Sequence, residues 1–185
     1  MTIILMRHGK PDHPNAGVLD AAGVAAWCAA YDLAGVCDHP PLRSQTIAAN
    51  AGIIVSSSLP RARASLERLG LQPCEVNDLF CEVGIPQVKS KRLQLPTTLW
   101  LAVLRLLWLC GYQDGQAESL QHARQRAVLA AERLITLSQQ GTVLLVGHGI
   151  MNKMIARQLR KRGWQAEKHA SSRHWSTAIY HRPFI

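Results

Sequence analysis

Apolar residues collect in three short runs along the chain: Ile3-Ile4-Leu5-Met6, Ile53-Ile54-Val55 and Val143-Leu144-Leu145-Val146. Runs of this length predict strands buried on both faces. Between them the apolar positions recur at helical spacing. Val24, Trp27, Cys28 and Tyr31 mark one face of a helix to about Leu33, with Asp20 as its cap. Ser44 is placed to cap a short helix ending at Asn50, after the break at Pro40-Pro41. Pro60 suits a first helical position, and Gly70 closes the helix it begins. A helix from Thr97 or Thr98 through Cys110 is apolar nearly all round. Glu118 to Gln140 is long and amphipathic, and Ile150 to Arg162 is the last helix. Cys74 to Val83 reads as extended, and Trp164 to Ala170 and Thr177 to His181 as edge strands.

Strands that alternate with helices predict an α/β fold: a doubly wound, mostly parallel central sheet with helices on both faces. Lys10 to Gly17, with Pro11, Pro14 and Asn15, is a loop. Residues 84–116 read as a helical insertion over the strand ends. A length of 185 residues fits one domain over 1–185, large enough to hold its core without disulfides or metal.

Charge and cysteines narrow the picture slightly. The formal net charge of +9 suits an anionic partner but does not choose among a phosphorylated metabolite, a nucleic acid and an acidic membrane. Five cysteines, odd in number and without a CxxC pair, read as reduced and mostly buried thiols of a cytoplasmic protein. Arg7 cuts the N-terminal apolar run too short for a leader. The apolar run from Leu99 to Cys110 contains Arg105 and is shorter than the ~20 residues that span a bilayer.

The candidate chemistry lies where the strands end. Arg7-His8-Gly9 follows the first apolar run, and Gly147-His148-Gly149 follows the third. In an open α/β sheet ligands bind at that edge, so two histidines remote in sequence are expected to face one pocket. Ser56-Ser57-Ser58 follows the second run and leads to Arg61 in the first turn of a helix, beside free backbone N–H groups that suit an anion. Glu82 stands in the apolar stretch Leu79-Phe80-Cys81-Glu82-Val83. It is either a surface residue of a half-buried strand or, if aimed into a pocket, a proton donor.

Taken in order, Arg7-His8-Gly9, Ser56-Ser57 with Arg61-Ala62, Glu82, Glu118-Ser119 and Gly147-His148-Gly149 resemble the histidine phosphatase superfamily, which includes the cofactor-dependent phosphoglycerate mutases. The resemblance implies that His8 attacks phosphorus and becomes a phosphohistidine. It implies that Arg7, Arg61, His148 and Gly149 bind the phosphoryl oxygens, and that Glu82 protonates the leaving oxygen. Asn15 takes the place of the family's pocket asparagine, one residue late; Pro14 stands at the usual position, and Pro11 replaces a common threonine. No cofactor and no metal are implied. The chemistry is consistent: a neutral imidazole is a good nucleophile, two nearby arginines lower its pKa, and a backbone carbonyl near Gly9 is expected to hold its other nitrogen.

The function expected is hydrolysis of a small phosphomonoester by a metal-independent phosphatase. A mutase, a phosphoprotein phosphatase and a non-catalytic module for phospho-ligands or nucleic acid are the alternatives. Neither a nucleic-acid nor a membrane partner is expected; the oligomeric state is open, and the apolar helix is compatible with a homodimer. The helix 99–110 reads as a lid selecting an apolar leaving group or as a core or dimer-contact helix. Arg157, Arg160, Lys161 and Arg162 read as a docking patch or a solvated helix end, and His169 and His174 as surface residues.

Overall fold

A computed structural model describes residues 1–90, 92–168, 171 and 173–182. β1 (Thr2–Arg7) leads through a short β2 (Val18–Leu19) into α1 (Ala21–Leu33), and α2 (Leu42–Ala49) precedes β3 (Ile53–Ser56). α3 (Pro60–Leu69), β4 (Glu75–Val76) and a 3-10 turn at Asp78–Phe80 follow. β5 (Leu95–Pro96) then leads into α4 (Thr97–Leu109) and α5 (Leu120–Ser138). β6 (Val143–Gly147), α6 (Gly149–Lys161), β7 (Gln165–Lys168) and β8 (Thr177–His181) complete the order.

The main sheet has the strand order β4-β3-β6-β1-β8-β7. β4, β3, β6 and β1 run parallel, while β8 lies antiparallel to β1 and to β7. The period-2 alternation of strand side chains sorts the core into two layers. Ile3, Leu5, Val143 and Leu145 meet α5 and α6 through Ala127, Ala131, Leu134, Met151 and Ile155. Ile4, Met6, Leu144 and Val146 meet α2 and α3 through Ala48, Ala62 and Leu66. The alanine face of α5 lets that helix lie close to the sheet. A third cluster joins α1 to α4 through Ala21, Val24, Trp100 and Leu104, away from the main sheet. No helix among the described residues is long and apolar enough to cross a membrane.

Several boundaries differ from the pattern-based reading. α2 begins at Leu42 behind Pro41, so Ser44 lies inside its first turn and its hydroxyl donates to the Trp175 carbonyl (2.9 Å) instead of capping. The Cys74–Val83 stretch is a two-residue strand and a 3-10 turn, because Asn77 accepts from the Leu79 amide and bends the chain. α5 starts at Leu120 and not at Glu118, with Ser119 capping it by accepting from the His122 amide. β8 is an interior strand between β1 and β7. Cys37, Cys74 and Cys110 are exposed free thiols, which corrects the expectation of mostly buried cysteines. His169 lies outside the described residues.

Candidate active site

Parallel pairing carries the three motif strands to one edge. β6 lies between β3 and β1, with Ser56 opposite Val146 and Arg7 opposite Gly147. The residues just past those ends, Ser57, His8 and His148, therefore emerge side by side. The His8 and His148 rings are 5.0 Å apart between centroids.

The backbone locks this arrangement. The His8 amide donates to the Gly147 carbonyl (3.0 Å) and the Gly9 amide to Ser65 Oγ (2.9 Å). Ser65 Oγ in turn donates to the Arg61 carbonyl (2.6 Å), tying α3 to the His8 loop. A Cβ on Gly9 would lie 2.4 Å from the Trp175 ring, and one on Gly147 would lie 2.6 Å from Asn152 Oδ1. Neither position has room for a side chain. Asn152 anchors α6 to β1 by donating to the Met6 carbonyl (3.0 Å).

His8 is buried, and its Nδ1 lies 2.7 Å from the Gly9 carbonyl. A carbonyl only accepts, so Nδ1 carries the proton, and the Nε2 lone pair of the neutral ring is free. Burial lowers the His8 pKa to about 3; Arg61, Arg7 and His174 add to the effect against the opposing Gly9 bond. His148 is held well below its ordinary value, first by burial and then by Arg61 and its neighbours. Its Nε2 shares a 2.6 Å hydrogen bond with Ser57 Oγ.

Arg61 is 1% exposed, yet it is a cation. Its guanidinium donates to Asp32 Oδ1 (3.1 Å) and lies over the Tyr31 ring at 4.7 Å. Its buried Nε has no hydrogen-bond partner among the described residues. Buried donors are normally paired, so this one marks a place for an acceptor oxygen. His148 Nδ1 is unpartnered in the same way.

Glu82 lies in the loop after the 3-10 turn, not on a strand. Its carboxyl oxygens accept from the amides of Ile150 (3.1 Å) and Met151 (3.0 Å) at the start of α6. Arg126 of α5 holds that loop by donating to the carbonyls of Asp78, Leu79 and Cys81. Glu118 grips the same guanidinium with both oxygens (2.9 and 2.6 Å).

A cavity of about 750 Å³ opens beside His8 and is lined by Arg7, Arg61 and Glu82. A smaller one of about 220 Å³ reaches Arg7, Glu82, His148 and Gly149 from the other side. Arg7 and Glu82 thus stand where the two meet. A separate cavity of about 560 Å³, between α4, α5 and α6, contains none of these groups. Six expected residues, Arg7, His8, Arg61, Glu82, His148 and Gly149, therefore gather at one place. Asn15 does not join them. It is exposed, outside both cavities, and its side chain accepts from the Gly17 amide (3.1 Å) in a local turn.

Sequence reading missed four contributors: Ser57, Ser65, Tyr31 and His174. His174 is not a surface residue: its ring lies 5.7 Å from that of His8, and burial followed by Arg7 lowers its pKa. Trp175 carries it there in a left-handed backbone conformation, φ 60°, that a bulky residue rarely adopts. Among the described residues no group of three or more His, Cys, Asp or Glu is placed to hold a metal ion.

Residues 42–181 match the family model of the histidine phosphatase superfamily, branch 1, and the chain belongs to that superfamily. The match begins after Arg7-His8-Gly9, so the place of that triplet rests on the geometry above. The fold is similar to that of the product of an open reading frame of Mycobacterium tuberculosis, at 18% identity and TM-score 0.63, over 96% of this chain and 89% of that one. It is also similar to a mycobacterial glucosyl-3-phosphoglycerate phosphatase (22% identity, TM-score 0.52, 86% of this chain and 79% of that one). A phosphoserine phosphatase from Entamoeba histolytica, with phosphoserine bound, matches at 16% identity and TM-score 0.54, over 96% of this chain and 94% of that one. At these identities the likeness is one of fold. A search by sequence among curated proteins finds no match.

Proposed function

We propose that the chain is a phosphatase that hydrolyses a phosphomonoester through a phosphohistidine on His8. The observation that carries this reading is the His8 ring itself: proton on Nδ1, Nε2 open, and a pKa of about 3 that keeps it neutral at working pH. Nε2 attacks phosphorus as the ester P–O bond breaks. The departing oxygen takes a proton from Glu82. Water then attacks the phosphohistidine, Glu82 recovers a proton from it, the N–P bond breaks and inorganic phosphate leaves.

Charge spreads over three oxygens in such a transfer, so a fixed cationic cup supplies much of the rate. Arg7, Arg61 and the unpartnered nitrogen of His148 form it. Membership of the superfamily and the named phosphatases among its structural neighbours support this class of reaction. The test is turnover of p-nitrophenyl phosphate with EDTA present. Steady hydrolysis that disappears in His8→Ala is expected. No turnover by the unaltered protein between pH 5 and 9 would overturn the reading.

A further inference from the structure

We propose that the leaving group is an apolar alcohol or phenol with a body at least as large as a bicyclic aromatic, seated between α1 and α4, and not a small charged hydroxy acid. This rests on the phosphatase reading above and narrows its substrate class. A cavity of about 750 Å³ far exceeds what one phosphoryl group fills, and is in the range that encloses a drug-sized molecule. Beyond the phosphoryl cup its walls include Ala25, Cys28 and Ala29 of α1, Leu101 and Ala102 of α4, and Ile85. Burial raises the Cys28 thiol to about 11, so that wall is uncharged as well.

The charged side chains on these walls are already engaged within the chain. Asp32 receives Arg61 at 3.1 Å. Asp114 accepts from the amides of Gln87, Gln116 and Ala117. Arg105 donates to the carbonyls of Val83 (3.3 Å) and Gly84 (3.1 Å) and lies over the Trp108 ring. A substrate carboxylate or ammonium would have to share these groups with their present partners, whereas an apolar body asks nothing of them.

Aromatic rings extend the same surface outward. Tyr31, against Arg61, stacks with Trp27 at 5.3 Å and 21°. The Trp27 indole N–H is spent on the Pro14 carbonyl (2.9 Å).

The test uses esters paired for similar leaving-group basicity: 2-naphthyl against phenyl phosphate, and n-octyl against ethyl phosphate, with phosphoserine and 3-phosphoglycerate alongside. In each pair the larger apolar ester is expected to have a kcat/KM higher by about tenfold or more, since added methylenes in an apolar pocket discriminate on that scale. Phosphoserine and 3-phosphoglycerate are expected to fall below octyl phosphate. Leu101→Asn is expected to bring both ratios towards one; because the readout is a ratio, partial loss of folded protein cancels. Ratios near one in the unaltered protein, ratios that Leu101→Asn leaves unchanged, or phosphoserine as the best ester would each overturn the proposal while the phosphatase reading stands. If none of the six esters is turned over, the phosphatase reading falls and this proposal falls with it.

Discussion

At the scale of single residues, the site depends on how tightly Gly9 is enclosed. Trp175 and Asp38 both lie within 2.7 Å of the point where a Gly9 Cβ would stand. Trp175 is itself fixed, its amide donating to the His8 carbonyl and its own carbonyl receiving Ser44. It also packs with Ile4, Met6 and Val146 in the core, which offsets the strain of its left-handed backbone. Gly9→Ala must therefore push the indole or the His8 loop aside. Overpacking of this kind costs about 1–3 kcal/mol. The expected result is a lower midpoint in urea unfolding together with a loss of kcat of more than tenfold, roughly the cost of misplacing a reacting group. A variant with unchanged stability and turnover would show that the loop relaxes freely. Arg7, His8, Arg61 and His148 were legible in the sequence because each stands next to a strand end or first helical turn that local pattern predicts. Ser65 and His174 were not, because their roles arise only when distant segments close on one another. Asn15 was misread for a related reason: Pro14 alters the loop, and the amide turns to Gly17.

At the scale of elements, α5 acts on the site without touching it. Arg126 reaches across to three carbonyls of the loop that presents Glu82, and Glu118 fixes its guanidinium. Both side chains of that pair are largely buried, at 18% and 24% exposure. Arg126→Met leaves Glu118 and the carbonyls without their donor, at an expected cost of about 2 kcal/mol. Its kinetic effect is expected to follow that of Glu82→Gln. Both variants should slow a poor leaving group such as ethyl phosphate far more than p-nitrophenyl phosphate, whose phenolate needs little protonation. Equal losses on the two esters in Glu82→Gln would remove Glu82 from the acid role. Equal losses confined to Arg126→Met would limit Arg126 to stability. The elements show the same division between local and distant causes. The three apolar runs and the α3, α5 and α6 patterns predicted the layers, since burial on both faces writes itself into consecutive residues. β8 was misplaced at an edge because its strand neighbours come from opposite ends of the chain. The 3-10 turn was missed because one Asn77 side chain decides it.

At the scale of the whole molecule, the site that enables the chemistry makes the fold sensitive to acid. His8 and His148 are buried among cations, and both are pushed below the ordinary histidine value. The unfolded chain takes up these protons near pH 6.5, while the folded His8 resists until about pH 3. Between those values the unfolded state binds more protons, so stability falls as pH falls and is fully present only above the unfolded value. The His8 ring, neutral over that range, costs about 1.4 kcal/mol per pH unit below 6.5, or about 2 kcal/mol by pH 5. For a domain of ordinary marginal stability two such rings are a large share of the total. Urea unfolding at pH 7 and pH 5 is therefore expected to show a stability loss of about 2 kcal/mol from His8, with a further loss from His148 in the same direction. His148→Gln replaces one ring by a group with no proton to take up, so the loss should shrink even though the variant is less stable at pH 7. A pH profile identical to that of the unaltered protein would mean that His148 is protonated inside the fold. The cup would then carry another positive charge, and the neutral His8 ring that the proposed mechanism needs would have to be explained without the burial they share.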